Sequence, residues 1–566
     1  MILQILTLLG AIALFIFGMD MLSSELQKLC GDKLRKFEKS MRSGSAVEQF
    51  LSGAGMTALI QSSSITSYVV VTLVSGATLT LEQGIAVIMG ANVGTTITPW
   101  LIGILGFNLN ISYFAFILVG IGFVMSLLKN QTVKNLGNIF LSFALLFVGL
   151  IFMNSSLQAL TTMSGTAPIT DSLSGHGFWS IITFWILSIL FTWLIRSSSV
   201  TVIISMVLCF AGWLSFPLGA AIVLGANIGT TLQPNIAVGK ADVQGRRAAL
   251  AHTIFNVVGC ILVLIFFSPF INLCIWLISL LGVNPQISEV YEIATVHTLF
   301  NLFSAIILIW FRKIIGGILR KIFKEPAEQK GEFRLRFIGN GRLSVTPAIS
   351  IELALKETLN FAETAHEGYQ YVKLALNEKN PDLFEEYREK LVKSEEITDK
   401  FEYEIASYLN QLSEGPLSGQ EADEVKKLYR IIGELESLGD SCMNISRHLY
   451  RLRAHNLEFD AESLKNLNLL VDKVEFAYKV MIGNIHLAVD KSLTDISNAG
   501  TAEDDINDTR NMLRDECINR IEKESEKFLA LNYYLDLLEE LETMGDFMIN
   551  VSQSLVNNFS RLLVMR

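Results

Sequence analysis

Ser62-Ser63-Ser64-Ile65-Thr66-Ser67 returns, little changed, as Ser197-Ser198-Ser199-Val200-Thr201, and each copy lies in sequence apolar enough for a membrane. Each is followed, 26 residues after its last serine, by Gly-Ala-Asn-x-Gly-Thr-Thr: Gly90, Ala91, Asn92, Gly94, Thr95 and Thr96, then Gly225, Ala226, Asn227, Gly229, Thr230 and Thr231. One offset of 135 superposes both motifs, so the polar groups are duplicated as a unit. Polar groups repeated in this way inside a membrane point to a site shared by two repeats.

Charge divides the chain in two. Residues 1–329 carry 12 acidic and 17 basic side chains and residues 330–566 carry 43 and 28, so a net of −10 combines +5 with −15. In the first part residues 83–128, 135–170, 197–239, 248–288 and 293–311 contain no charged side chain. Uncharged stretches of this length, rich in Leu, Ile, Val and Phe, are membrane spans rather than core helices. In the second part apolar residues recur at helical spacing among charges, which describes a water-facing helical domain. Residues 1–22 lack a basic n-region and a small-residue cleavage site, so they are expected to stay as a first span. The six cysteines have no paired spacing, which argues against a disulfide framework or a zinc site.

The positions of Lys and Arg orient the spans. Between spans they fall at Lys28 to Arg42, at Lys129 and Lys134, at Lys240 with Arg246 and Arg247, and at Arg312 and Lys313; the connections near 104–110, 157–177 and 268–290 have none. With the basic loops inside, the N-terminus lies outside and the acidic C-terminal domain is cytoplasmic. An odd number of crossings is required, and seven fit: about 2–22, 83–103, 110–128, 136–156, 215–237, 249–267 and 291–311. Residues 268–282 then lie along the outer interface.

Both hydroxyl-rich stretches, about 45–80 and 178–213, are left as re-entrant hairpins. Their hydroxyls compete for the backbone, which weakens a helix interior but suits a sharp turn between two half-helices. Irregular backbone at membrane depth survives where it lines a protein-enclosed cavity. Three crossings between the repeats give them opposite topology, so the two tips meet near the midplane. Leu14-Phe15 to Met21 resembles Leu146-Phe147 to Phe152, which extends the repeats to 1–128 and about 136–270. His252-Thr253-x-Phe255-Asn256 also recurs as His297-Thr298-x-Phe300-Asn301 at a spacing of 45, outside the main register; these groups are expected to cross-link helices.

Half-helix N-termini and serine hydroxyls surround an anion well. The same hydroxyls, freed backbone carbonyls and the amides of Gln61, Asn92 and Asn227 suit a hard cation such as sodium. The hairpins and the spans after them hold no Asp or Glu except Glu48 and Glu82, each near the start of its segment, which favours sodium over proton coupling.

Gln61-Ser62-Ser63-Ser64, the second serine-rich copy and the paired Gly-Ala-Asn-x-Gly-Thr-Thr segments resemble the type II sodium/phosphate cotransporter family over about residues 1–315. The resemblance implies a phosphate site at Gln61, Ser62, Ser63, Ser64, Ser197, Ser198 and Ser199, to which Arg196 is added on its own chemistry. It implies sodium ligands among Gln61, Ser64, Thr66, Asn92, Thr95, Thr96, Thr201, Asn227, Thr230 and Thr231. Arg196 departs from the motif, standing where a second Gln would be expected. An Arg at membrane depth costs about 2.5–3.5 kcal/mol to insert and so marks function. It can pair bidentately with phosphate, replace a sodium ion, or pin the hairpin by donating to backbone carbonyls.

The C-terminal part repeats Leu435-Glu436-Ser437-Leu438-Gly439-Asp440, continuing to Asn444, as Leu541-Glu542-Thr543-Met544-Gly545-Asp546, continuing to Asn550. Glu, Asp and Asn at i, i+4 and i+8 share one helix face. That face resembles the metal-binding helices of the PhoU family over about 345–560, which implies a divalent or iron-type metal at Glu436, Asp440, Asn444, Glu542, Asp546 and Asn550. Residues 316–344 read as a linker, in which Arg334, Arg336 and Arg342 are read first as a plain basic juxtamembrane stretch, with attraction of lipid headgroups as the alternative.

The expectation is an all-α, polytopic helical membrane protein of two inverted repeats, each with a re-entrant helical hairpin, plus a cytoplasmic PhoU-like helical bundle at 345–566. It is expected in a bacterial inner membrane as a sodium-coupled phosphate symporter that is not an enzyme. Lipid, a homodimer mate or a phosphate-signalling protein are its expected partners, and nucleic acid is not. A phosphate exporter on the same site and a phosphate sensor without net transport remain alternatives. A serine hydrolase pairing Ser62 or Ser63 with His252 or His297 lacks a nucleophile-elbow pattern.

Overall fold

The computed structural model describes residues 2–76, 78–108, 111–161, 177–238, 243–324, 333, 335–338, 347–415, 417–523 and 528–556. Lys240, Arg334 and Arg342, and the side chains of Lys33, Arg35, Lys36 and Lys39, lie outside the described residues. The chain divides into two compact units, Met1–Ala327 with Gly339–Ala348, and Glu328–Ile338 with Ile349–Arg566.

The first unit is helical throughout its described length. It runs α1 (Ile2–Ser43), α2 (Ala46–Ile60), α3 (Ser63–Ser75), α4 (Leu81–Thr95), α5 (Ile97–Asn108), α6 (Ile111–Ser126) and α7 (Gln131–Thr161). It continues as α8 (Phe178–Ile195), α9 (Ser198–Phe210), α10 (Phe216–Ala237), α11 (Val243–Ile265), α12 (Phe267–Leu280), α13 (Ser288–Leu308) and α14 (Arg312–Ile322). Seven helical segments are long and apolar enough to cross a membrane: Ile2–Leu29, Leu81–Phe107, Gln131–Thr161, Phe178–Ile195, Phe216–Ala237, Val243–Ile265 and Ser288–Ile322. The number agrees with the sequence reading and the membership differs in one place. Ile111–Ser126 has 16 residues, about 24 Å at 1.5 Å per residue, and Phe178–Ile195, which the sequence reading gives to a re-entrant hairpin, has 18, about 27 Å. Both fall short of the roughly 30 Å hydrocarbon core, so length alone does not make Phe178–Ile195 a crossing.

The duplication is visible in the packing. A β-carbon on Gly18 of α1 would lie 2.9 Å from Leu146 N and 3.1 Å from Ser142 O on α7; on Gly149 of α7 it would lie 2.9 Å from Phe15 N and 3.0 Å from Ala11 O. The contact is reciprocal and antiparallel, with an offset of 131 for every pair, one residue from the register that Leu14-Phe15 and Leu146-Phe147 suggest. The glycines of the Gly-Ala-Asn-x-Gly motifs serve the same end. On α4 a β-carbon at Gly90 would meet Phe50 O at 1.8 Å and at Gly94 Ala54 O at 2.3 Å; on α10, Gly225 would meet Trp185 O at 2.3 Å and Gly229 Ile189 O at 2.6 Å. Each residue in the second set is 135 beyond its counterpart, so α4 rests on α2 as α10 rests on α8. Small residues that bring backbones together are the usual device where no hydrophobic effect drives helices together.

The second unit contains α15 (Pro347–Asn377), α16 (Pro381–Ser413), α17 (Gly419–Ala454), α18 (Ala461–Val489), α19 (Ser497–Lys523) and α20 (Phe528–Leu555). Its core includes Tyr369, whose hydroxyl donates to Val471 O at 2.8 Å, and the stacked pair Phe361 and Phe401. The described cysteines Cys209, Cys260, Cys274, Cys442 and Cys517 are buried and free.

Candidate functional site

Both serine motifs break a helix in the same manner. α2 ends at Gln61 with φ 59° and α8 ends at Arg196 with φ 67°, two non-glycine residues in the left-handed region at the same point of the repeat. Such backbone costs about 1–3 kcal/mol and persists where surrounding contacts fix it. Here Thr57 Oγ1 donates to Thr66 Oγ1 at 2.8 Å across the first break, and Thr192 Oγ1 to Thr201 Oγ1 at 2.9 Å across the second. Ser62 and Ser197 then cap α3 and α9, their hydroxyls accepting from Ile65 N and Val200 N. Capping leaves the N–H groups of Ser63, Ser64, Ser198 and Ser199 at the first turn without intrahelical acceptors.

The two breaks meet at one cavity of about 140 Å³, lined by Gln61, Ser62, Ser63, Ser64 and Ile65, by Arg196, Ser197, Ser198 and Ser199, and by Met19, Asp20, Ser23, Ser24 and Gln27 of α1. The structure thus brings together every residue expected at the phosphate site, Arg196 included. Gln61 is held at both ends of its amide: Oε1 accepts from Thr98 Oγ1 at 2.5 Å and Nε2 donates to Ala58 O at 2.5 Å. Among the described residues no hydrogen bond joins the Arg196 guanidinium to a backbone carbonyl.

Of the residues assigned to sodium, Gln61 and Ser64 line the cavity. Thr66 and Thr201 stand just behind it, tying the two arms of each break. Thr95, Thr96, Thr230 and Thr231 donate to carbonyls three or four residues back on their own helices. Asn92 and Asn227 reach the duplicated His-Thr-x-Phe-Asn segments. Asn92 donates to Asn256 Oδ1 at 3.1 Å and faces His252 Nε2 at 3.1 Å, while Asn301 donates to Asn227 Oδ1 at 3.2 Å. Each copy on α11 or α13 therefore docks on the asparagine of one repeat, which explains a spacing that the main register does not contain. The docking is unequal. His252 Nδ1 faces Ser67 Oγ at 3.4 Å, whereas Val202 occupies the matching position in the second repeat and both ring nitrogens of His297 are buried without a partner among the described residues.

Asp20, Ser23, Ser24 and Gln27 were missed by motif reading. Their signal is a polar face at i, i+3, i+4 and i+7 that begins inside the apolar start of α1.

In the second unit Glu395 and Asp399 of α16 come together with Asp440 of α17, ligand atoms within 4.8 Å of one another. Glu436 lies near enough for Asp440 and Asp399 to act on it: burial first, then those carboxylates, push its pKa up. Asn444 Oδ1 accepts from Arg447 at 2.9 Å. The second predicted set is engaged otherwise: Glu542 is ion-paired with Arg510, Asn550 bonds Glu434 and Arg430, and Asp546 lies between Glu542 and Glu434 in electrostatic range. Glu395 and Asp399 share the i, i+4 spacing of Glu436 and Asp440, a repeat that the search for Leu-Glu-x-x-Gly-Asp passes over.

Paired helix breaks whose capped N-termini converge on a polar cavity inside a polytopic helical unit define a membrane solute carrier rather than an enzyme. A family model for the Na+/Pi-cotransporter matches residues 14–155 and 178–282, and one for the PhoU domain matches 359–449. The first unit belongs to the Na+/Pi-cotransporter family, a family of phosphate transporters, and the second carries a PhoU domain. The "Putative inorganic phosphate export protein YjbB" of Escherichia coli K12 is 24% identical over 490 residues, covering 86% of this chain and 84% of that protein. The "Uncharacterized protein YqeW" of Bacillus subtilis is 27% identical over 298 residues, 53% of this chain and 91% of the relative. The human "Sodium-dependent phosphate transport protein 2B" is 36% identical over 104 residues, 18% of this chain and 15% of the relative. No solved structure matches.

Proposed function

We propose that the protein moves inorganic phosphate together with sodium by alternating access. The observation that carries this reading is the convergence of two capped helix N-termini and the Arg196 guanidinium on one cavity. Free first-turn N–H groups, serine hydroxyls and a planar cation offer a tetrahedral oxyanion donors from several directions. Sodium takes the oxygens of Gln61 and Ser64, with Thr66 and Thr201 behind them and the asparagines and threonines of α4 and α10 fixing the frame. The antiparallel, reciprocal packing of α1 on α7 supports two inverted repeats that rock against each other, with α2–α3 and α8–α9 as re-entrant hairpins.

The basic residues Lys28, Arg42, Lys129, Lys134, Arg246 and Arg247 support the reading of a bacterial inner-membrane protein with its N-terminus outside and its second unit in the cytoplasm. Net export is supported by one observation: the match to the phosphate export relative extends over 86% of this chain. The test is radiolabelled phosphate flux in proteoliposomes, in both directions, under imposed sodium gradients. Sodium-dependent flux is expected, with a net direction that follows the gradients; no flux under any gradient would leave a sensor reading in its place. In the second unit Glu395, Asp399 and Asp440, joined by Glu436, form an all-oxygen donor set suited to magnesium, manganese or iron. Burial and the neighbouring Asp440 both raise the pKa of Asp399, a repulsion that a bound cation would relieve. Calorimetric titration with manganese should show binding that Asp440→Asn removes.

A further inference from the structure

Asp20 is the carboxylate on the wall of the membrane cavity, at the head of the polar face Asp20, Ser23, Ser24 and Gln27 on α1. No other residue from Ile2 to Leu22 is charged. A single acid in an apolar membrane helix is costly and marks function unless an ion pair neutralises it. Arg196 lines the same cavity, and the two are not ion-paired with each other.

The offset of 131 set by Gly18 and Gly149 makes Ile151, Asn154, Ser155 and Gln158 of α7 the repeat counterparts of the polar face of α1. Three of the four positions stay polar; the one that changes kind is Asp20 against Ile151. None of the α7 residues lines the cavity. Of the two counterpart helices only α1 lines the cavity in this conformation, beside the two helix breaks, and it does so with the stretch that runs on to Lys28 and Arg42. Two charges break the symmetry of the repeats, Arg196 against Gln61 and Asp20 against Ile151, and both face this cavity.

We propose that Asp20, with the side-chain oxygens of Ser23, Ser24 and Gln27, ligates a sodium ion on one side of the membrane only. The inference rests on the sodium-coupled reading above and adds a side-specific ligand to it. While α1 forms the wall, the ion has a carboxylate. In the opposite state, reciprocal packing makes α7 the wall, and Ile151 offers the ion nothing. Phosphate on Arg196 keeps that guanidinium from neutralising Asp20, so anion and cation favour each other's binding on this side. The protein holds sodium more tightly on the side of the basic loops than on the other.

The experiment is sodium titration of phosphate flux by the full-length protein in oriented proteoliposomes, with sodium varied on one side at a time. Asp20→Asn should raise the half-saturating sodium on the basic-loop side by about tenfold, the order of one charge-assisted contact, and leave the other side unmoved. Asp20→Glu should retain most of the affinity. Ile151→Asp should lower the half-saturating sodium on the opposite side. Equal shifts on both sides, or none, with Asp20→Asn would overturn the proposal. If that variant does not insert, Ile151→Asp decides alone, and an unmoved curve on the opposite side overturns it. A wild-type protein whose phosphate flux ignores sodium would instead defeat the functional reading, so the two failures are distinct.

Discussion

Arg196 and Gln61 occupy one backbone position of the repeat, both left-handed, yet their surroundings differ. Gln61 accepts from Thr98, and the residue 135 beyond Thr98 is Gln233. An amide in place of Arg196 would therefore meet another amide, not the hydroxyl that locks Gln61. Arg196→Gln should weaken phosphate binding about tenfold, as expected for losing a charge-assisted contact, and shift the charge moved per phosphate by one unit. Phosphate titration and transport currents in proteoliposomes check both; unchanged values would mean that Arg196 faces the cavity without taking part. In the second unit Glu475 allows a pH prediction. Burial raises its pKa, but hydrogen bonds from Gln370, Lys479 and His366 outweigh this and bring it to about 2. A folded-state pKa below the ordinary carboxylate value of about 4.3 contributes stability that is complete above that value and lost as pH falls toward 2. Glu475→Gln should flatten the fall in the second unit's thermal midpoint across that window.

At the scale of the element, glycine decides how closely α4 and α10 approach α2 and α8. A β-carbon at Gly90 has no room against Phe50 O, so α4 would have to move, while at Gly10 it meets nothing within 4 Å. Gly90→Ala should cost about 1–3 kcal/mol through overpacking, and Gly10→Ala nothing measurable. Thermal unfolding in detergent would show the difference. The doubled Gly-Ala-Asn-x-Gly-Thr-Thr was legible in the sequence as a repeat, as were both breaks at Ser-Ser-Ser. The role of its glycines was not, because close packing depends on a partner helix roughly 40 residues away. The 45-residue spacing of the His-Thr-x-Phe-Asn segments was opaque for a similar reason: α11 and α13 serve opposite repeats, so their spacing follows the tertiary path. Asp20 escaped because a span drawn at residues 1–22 absorbs it, whereas the helix runs to Ser43 and turns its polar face to the cavity. In the second unit, ion pairing of Glu542 with Arg510 distinguishes two sequence copies that look alike.

For the whole molecule, the boundary between the units has a physical definition. α14 ends the last apolar segment and is fastened to the first unit: Arg320 pairs with Glu82 at the start of α4 at 2.6 Å, Arg247 Nε of α11 donates to Phe323 O at 3.0 Å, and Arg246 stacks on the Phe323 ring at 4.3 Å. Buried Ile315 and Leu319 complete the contact. α14 thus ties helices from the two repeats, and a truncation that respects it should behave differently from one that does not. A chain ending after Lys324 keeps these bonds, and the core of the first unit contains no residue of the second. That truncation should insert, fold and carry phosphate with its sodium dependence intact. A chain ending after Phe311 removes the partner of Glu82 and the carbonyl that Arg247 holds, leaving Arg247 buried without that acceptor at a cost of about 1–3 kcal/mol. It should show a lower thermal midpoint in detergent and reduced flux. Equal stability of the two truncations would place α14 outside the transport unit, and loss of flux in the longer one would make the second unit part of the transport cycle rather than its regulator.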